Sequence, residues 1–196
     1  MNIPNALTLS RLGLAIVLIT LLAVPFPFGM TLALVVFIVG GITDYLDGYL
    51  ARNVYGETAF GSLMDPLTDK IMVCAAFVSF VELHLVKAAV VVVIIAREFM
   101  VTGLRLIAMN RGTVMAAGKW GKHKTVWQIV AIIFILLGLA IRDDLLPRVR
   151  PDLVDAYHSY FVIATHVVSI AVAIITVMSG LIYLRQNRTM LAGDTG

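Results

Sequence analysis

Between Leu12 and Thr43 the chain carries no charged side chain, a stretch longer than the ~20 mostly apolar residues that one bilayer-crossing helix needs. The run is broken by Pro25-Phe26-Pro27-Phe28-Gly29, turn chemistry that ends one helix and begins another. Two spans are therefore expected. The second cannot stop at Thr43, because Met30 to Thr43 is too short to cross ~30 Å of hydrocarbon at ~1.5 Å per residue. It has to continue through Asp44 and Asp47 to about Leu50, which forces two carboxylates into the end of a membrane helix.

The rest of the chain repeats this tension between apolar length and embedded charge. With 60% hydrophobic and 14% charged residues and a mean hydropathy of +0.96, an ordinary soluble domain is excluded. The 196 residues have room for six spans on short loops, so residues 1–196 read as one membrane-embedded domain, all-α and polytopic. The third span has its uncharged centre at Ile71 to Val81 and must borrow residues back to about Leu67, taking in Asp69 and Lys70. The fourth, Ala88 to about Met109, encloses Arg97 and Glu98. Thr125 to Ile141 forms the fifth, and Tyr157 to Leu184 the sixth. Residues 1–10 read as a short interfacial lead-in, and the first span as retained rather than cleaved.

Positive charge orients the bundle. Arg11, Arg52, Lys70, Arg105, Arg111, Lys119, Lys122, Lys124, Arg185 and Arg188 fall towards one face, and only Lys87, Arg142, Arg148 and Arg150 towards the other. Both termini are accordingly expected in the cytoplasm of a bacterial-type inner membrane. A formal charge of +3 is too mild to suggest a nucleic-acid partner. Cys74, alone in the sequence, excludes an intrachain disulfide and a paired-cysteine metal site.

Four aspartates carry the chemistry. Asp44 and Asp47 are three residues apart, with Gly48, Ala51 and Arg52 continuing their helix; Asp65 and Asp69 are four apart, with Gly61 one turn earlier. So many carboxylates at membrane helix ends are unfavourable unless cations neutralise them, and oxygen ligands select hard ions such as Mg²⁺, Mn²⁺ or Ca²⁺. A divalent-metal site, plausible for two ions, makes the cluster tolerable. The alternative for any one of these aspartates is a solvated helix end neutralised by Arg52 or Lys70.

The string Asp44-x-x-Asp47-Gly48-x-x-Ala51-Arg52, followed by Gly61, Asp65 and Asp69, resembles the signature of the CDP-alcohol phosphotransferase family at every position. That resemblance implies a six-helix membrane enzyme, homodimeric, which displaces CMP from a CDP-linked substrate by an alcohol with the help of Mg²⁺ or Mn²⁺, two ions per site. It further implies that Asp44, Asp47 and Asp65 ligate metal, that Asp69 completes the metal site and takes the proton of the attacking hydroxyl, and that Gly48, Ala51, Arg52 and Gly61 line the cytidine nucleotide. Pro4, Asn5 and Thr8 would lie near the base or phosphates.

Arg97 demands a partner or a function, since a guanidinium at the bilayer centre costs ~2.5 kcal/mol or more. Its neighbour Glu98 points ~100° away around the helix and is not expected to pair with it. Arg97-Glu98-Phe99, Thr102-Gly103-Leu104-Arg105, then Gly118, Gly121-Lys122 and Lys124-Thr125 resemble the glycerol-phosphate branch of the family, the phosphatidylglycerophosphate synthases. By that resemblance the substrates are CDP-diacylglycerol and sn-glycerol 3-phosphate, with membrane lipids around them, and Arg97, Arg105, Lys122 and Lys124 hold the acceptor's phosphate. Inositol phosphate or serine are alternative acceptors. From another class, a divalent-cation transporter would also place carboxylates in spans, yet no acidic residue within the fifth and sixth spans continues a path.

Overall fold

The computed structural model describes the backbone of residues 3–50, 59–110 and 119–187, and the side chains of residues 10–43, 70–108 and 124–187. Among the described residues the chain is helical, with no strand. Helices α1 (Ile3–Ala23), α2 (Gly29–Leu50), α3 (Ala59–Glu82), α4 (Ala88–Asn110) and α5 (Lys119–Leu139) are followed by a π-helical turn, Ala140–Leu145. A short α6 (Leu146–Val149), a 3₁₀ turn (Pro151–Leu153) and the long α7 (Val154–Gln186) complete the order.

The second, fourth and sixth apolar runs become helices within a few residues of their expected bounds, and the breaks at Pro25 to Gly29 and Glu82 to Lys87 are turns. Three expectations need correction. The N-terminal lead-in is no separate segment: α1 is helical from Ile3 without interruption, with Pro4 in its first turn, where a missing N–H leaves no bond unmade. α3 begins at Ala59 rather than near Leu67, because hydropathy marks where a helix meets hydrocarbon, not where its hydrogen bonding starts. The stretch from Arg142 to Tyr157, which lies between the fifth and sixth expected spans, is no simple connection but almost wholly helical.

One helix among the described residues, Pro151–Gln186, is by length and composition able to cross a membrane; Ser10–Ala23 and Gly29–Thr43 are shorter apolar helices. α1 packs against α2 and α3, and α7 against α4 and α5, and the two groups join where α2 meets α5 and α3 meets α4 and α5. The apolar core, with Leu18, Phe77, Phe80, Leu85, Ile94, Ile132, Ile135, Leu136 and Leu139 almost wholly enclosed, runs towards the α1–α2 and α3–α4 turns. Close approach is locally enforced at Gly138, where a Cβ would fall inside the Phe161 ring. At the opposite end the interior turns polar: Arg97, Glu98, Thr102, Lys124, Gln128, Thr176 and Ser179 are all buried. The interior is thus mainly apolar towards one end and charged towards the other.

Candidate active site

The charged end is where α1 starts, α2 stops and α3 starts, because successive helices run antiparallel. Asp44 lies six residues before the end of α2 and Asp65 six after the start of α3, each ~9 Å along its helix. Asp47 lies nearer the α2 terminus and Asp69 deeper in α3. The same end holds Gly48 of α2, Gly61 of α3, and Pro4, Asn5 and Thr8 in the opening turns of α1. The backbone therefore gathers these residues at one end of the bundle; their side chains, with that of Lys122, fall outside the described side chains, and Ala51 and Arg52 outside the described residues. Among the described residues no three His, Cys, Asp or Glu side chains converge on a metal site.

Beside this end a cavity of about 270 Å³ opens between α3, α4 and α5. Lys70 and Cys74 come from α3, Arg97, Glu98, Thr102 and Arg105 from α4, and Lys124 and Gln128 from α5. Four cations thus face one carboxylate. Arg97 is only 7% exposed; its Nη2 donates to Ser179 Oγ at 2.9 Å, its Nη1 lies 3.4 Å from Glu98 Oε1, and its buried Nε has no acceptor. Gly180 gives its stem room, since a Cβ there would stand 3.0 Å from Arg97 Cγ. The Arg105 guanidinium lies 5.5 Å from the centre of the Tyr183 ring, and its buried Nε likewise has no acceptor. Lys124 Nζ pairs with Glu98 Oε1, which also accepts from Gln128 Nε2 at 3.2 Å.

Of the four residues expected to hold an acceptor phosphate, the structure brings Arg97, Arg105 and Lys124 to one cavity. The expectation that Glu98 is no partner of Arg97 is overturned: the long guanidinium reaches back to its neighbour although the two Cα–Cβ vectors diverge, and the stronger claim on Glu98 comes from Lys124, 26 residues away. Sequence reading also missed Lys70, Gln128 and Ser179 as members of this site. A signal existed for Glu98, because a carboxylate within a long apolar run is itself a mark of function. On α7, Thr165, Ser169, Thr176 and Ser179 form a buried polar stripe at helical spacing, equally readable from the sequence.

A second cavity, about 570 Å³, lies at the other end, walled mainly by apolar residues of the α1–α2 turn. Its one buried carboxylate, Asp144, already accepts from Thr31 N and Thr31 Oγ1, each at 2.7 Å, so it has little left to offer a ligand.

A family model described as CDP-alcohol phosphatidyltransferase matches residues 1–178. The chain is similar to the CDP-diacylglycerol–glycerol-3-phosphate 3-phosphatidyltransferase of Bacillus subtilis, 40% identical over 69% of this chain and 77% of that protein. A protein of that name from Haemophilus influenzae is 32% identical over 94% of this chain and 92% of its own length. Another, from Pseudomonas fluorescens, is 38% identical over 69% and 72%.

Proposed function

Since the chain belongs to the CDP-alcohol phosphatidyltransferase family and is an enzyme of that type, we propose that it transfers the phosphatidyl group of CDP-diacylglycerol to sn-glycerol 3-phosphate, giving phosphatidylglycerophosphate and CMP. The observation that carries the choice of acceptor is the basic cavity: two buried guanidinium Nε–H groups lack an acceptor among the described residues, with Lys70 and Lys124 beside them. A buried donor left unmade costs ~1–3 kcal/mol, and a phosphate restores those bonds in the form that guanidinium binds best. A choline or ethanolamine acceptor would meet four cations and be repelled.

The carboxylate end fits the metals the family implies: an all-oxygen donor set on two antiparallel helix ends, Asp44 level with Asp65, is hard-cation chemistry. Asp44, Asp47, Asp65 and Asp69 would hold Mg²⁺ or Mn²⁺, two ions per site, which when bound neutralise the diphosphate and fix its orientation. Gly48, Ala51, Arg52 and Gly61 line the nucleotide, with Pro4, Asn5 and Thr8 near its base or phosphates. In this reading an acceptor anchored by its phosphate in the cavity that Lys70 lines turns its free end towards Asp69, the preceding residue of α3. The acceptor's primary hydroxyl attacks the phosphorus that bears diacylglycerol. Its proton passes to the Asp69 carboxylate, and the bond to CMP breaks with its electron pair leaving on CMP.

In this reading the six long helices span the membrane, both termini and the active site face the cytoplasm of a bacterial-type inner membrane, and the chain works as a homodimer. Exposed apolar residues on all six, among them Ile16, Val35, Val78, Val92, Val126 and Ile163, support a surface bathed in lipid.

The test is CMP release by purified protein given CDP-diacylglycerol and Mg²⁺ or Mn²⁺, with glycerol 3-phosphate, inositol, inositol phosphate and serine compared as acceptors. Release that needs both metal and glycerol 3-phosphate is expected. Release with another acceptor alone replaces the substrate while keeping the family.

A further inference from the structure

Glu98 is an odd wall for an anion site. A carboxylate offers about four lone-pair positions over two oxygens, yet every donor around Glu98 runs to the same one: Lys124 Nζ, Gln128 Nε2 at 3.2 Å and Arg97 Nη1 at 3.4 Å all meet Oε1. Oε2 meets no donor among the described residues, although the side chain is only 6% exposed and lines the cavity. Oε2 is not among the fully enclosed polar atoms and so opens onto the cavity. Nothing but the cavity is left to supply a donor.

What enters must therefore satisfy two opposite demands within one small space. The unpartnered Nε–H groups of Arg97 and Arg105 call for an anion. Oε2 repels that anion and accepts only a neutral or positive donor. The phosphate of an alcohol with a single hydroxyl meets the first demand and leaves the second open once the hydroxyl is committed to reaction. A phosphorylated polyol meets both: its phosphate goes to the guanidinium groups, one hydroxyl goes to the chemistry, and a further hydroxyl is free to donate.

We propose that Glu98 is a specificity-determining residue that reads a non-reacting hydroxyl of the acceptor through Oε2, restricting the site to phosphorylated polyols. The inference rests on the glycerol 3-phosphate reading, in which the hydroxyl concerned is the middle one. Lys124 and Gln128 have a positioning role here: by occupying Oε1 they turn Oε2 to the ligand.

The experiment compares kcat/KM of the purified protein, with CDP-diacylglycerol and Mg²⁺, for sn-glycerol 3-phosphate and for 3-hydroxypropyl phosphate, which keeps the phosphate and the reacting primary hydroxyl and lacks the middle one. The native protein is expected to prefer glycerol 3-phosphate by about 10- to 100-fold, the range of one hydrogen bond to a buried charge. In Glu98→Gln the carbonyl oxygen turns to Lys124 and Gln128, an NH₂ faces the cavity, and the preference shrinks about tenfold. Glu98→Asp, which keeps the charge but withdraws it by a methylene, is expected to shrink it as well, and serves where the Gln variant does not fold. Equal kcat/KM for the two acceptors in the native protein overturns the inference. So does a loss shared equally by both acceptors in the variants, which is what a purely structural role for Glu98 would give. Turnover with neither compound, in protein that releases CMP with inositol or serine, overturns the acceptor reading itself.

Discussion

The two ends of the bundle each bury a carboxylate, and they use it differently. Asp144, on the π-helical turn, accepts from the backbone N–H and the hydroxyl of Thr31, both in the first turn of α2. Those donors are neutral, and the N–H is one that a helix start leaves without an intrahelical acceptor, so the pairing closes the helix and favours negative charge at its positive end. Glu98 instead sits among cations beside a cavity, with one oxygen crowded and the other without a donor. A buried charge whose bonds are complete holds elements together. One whose surroundings remain incomplete is arranged for something that arrives later.

Variants at the two ends should therefore fail in different ways, and the largest failure belongs to the aspartates. Asp69→Asn removes the proposed base and is expected to lower kcat by ~10³-fold or more, within the range of general-base losses, while CDP-diacylglycerol is still bound and the melting temperature is little changed. CMP release measured alongside lipid-nucleotide binding decides this; normal turnover would sink the role given to Asp69. Next comes Arg105→Ala. Loss of a guanidinium from a phosphate site should raise KM for glycerol 3-phosphate by ~10- to 100-fold, the scale of a charge-assisted hydrogen bond. KM for CDP-diacylglycerol should hold. A parallel rise in both constants would mean that the cavity belongs to the nucleotide instead.

How far this contrast could be read in advance depended on the range of the interactions involved. The aspartates were legible because their pattern is local: Asp44 and Asp47, or Asp65 and Asp69, lie within one or two helical turns, and spacing alone places them at two helix ends on one side of the bundle. Arg97 was legible as an anomaly, a cation within an apolar run. Its partners were not, since Ser179 lies 82 residues away on α7. Glu98 was misjudged by a local rule, the angle between successive helical residues, when its counterion comes from α5. Asp144 is the extreme case. Thr31 lies 113 residues from it, and the sequence at Arg142 to Tyr157 reads as a charged loop until tertiary contact with α2 draws the π-helical turn inward.

The apolar end should respond in stability and not in substrate constants. Asp144→Ala leaves the start of α2 without its acceptor and is expected to cost about 1–2 kcal/mol, in the range of a lost helix cap. That should appear as a lower unfolding temperature in detergent, with KM for glycerol 3-phosphate unchanged in the folded fraction. A changed KM without loss of stability would erase the distinction drawn between the two carboxylates.

The smallest effect is expected at Arg148, whose guanidinium carbon stands 4.1 Å from the centre of the Phe28 ring and which also donates to the backbone oxygen of Asp144. Phe28 holds a φ of 58°, a left-handed conformation that a bulky side chain rarely adopts, at the turn just before Gly29. The stacked Arg148 covers the Phe28 ring and offsets part of that strain. Arg148→Ala should therefore destabilise by only ~0.5–1 kcal/mol, the worth of an exposed cation–π pair, while Phe28→Gly should lose less than the contact alone implies because the backbone strain is relieved with it. Measuring the two single variants and the double variant separates the terms. If the ring contact does offset the strain at residue 28, removing Arg148 will cost less in the Phe28→Gly background than in the native protein, and equal costs in both would show that Arg148 acts only through Asp144.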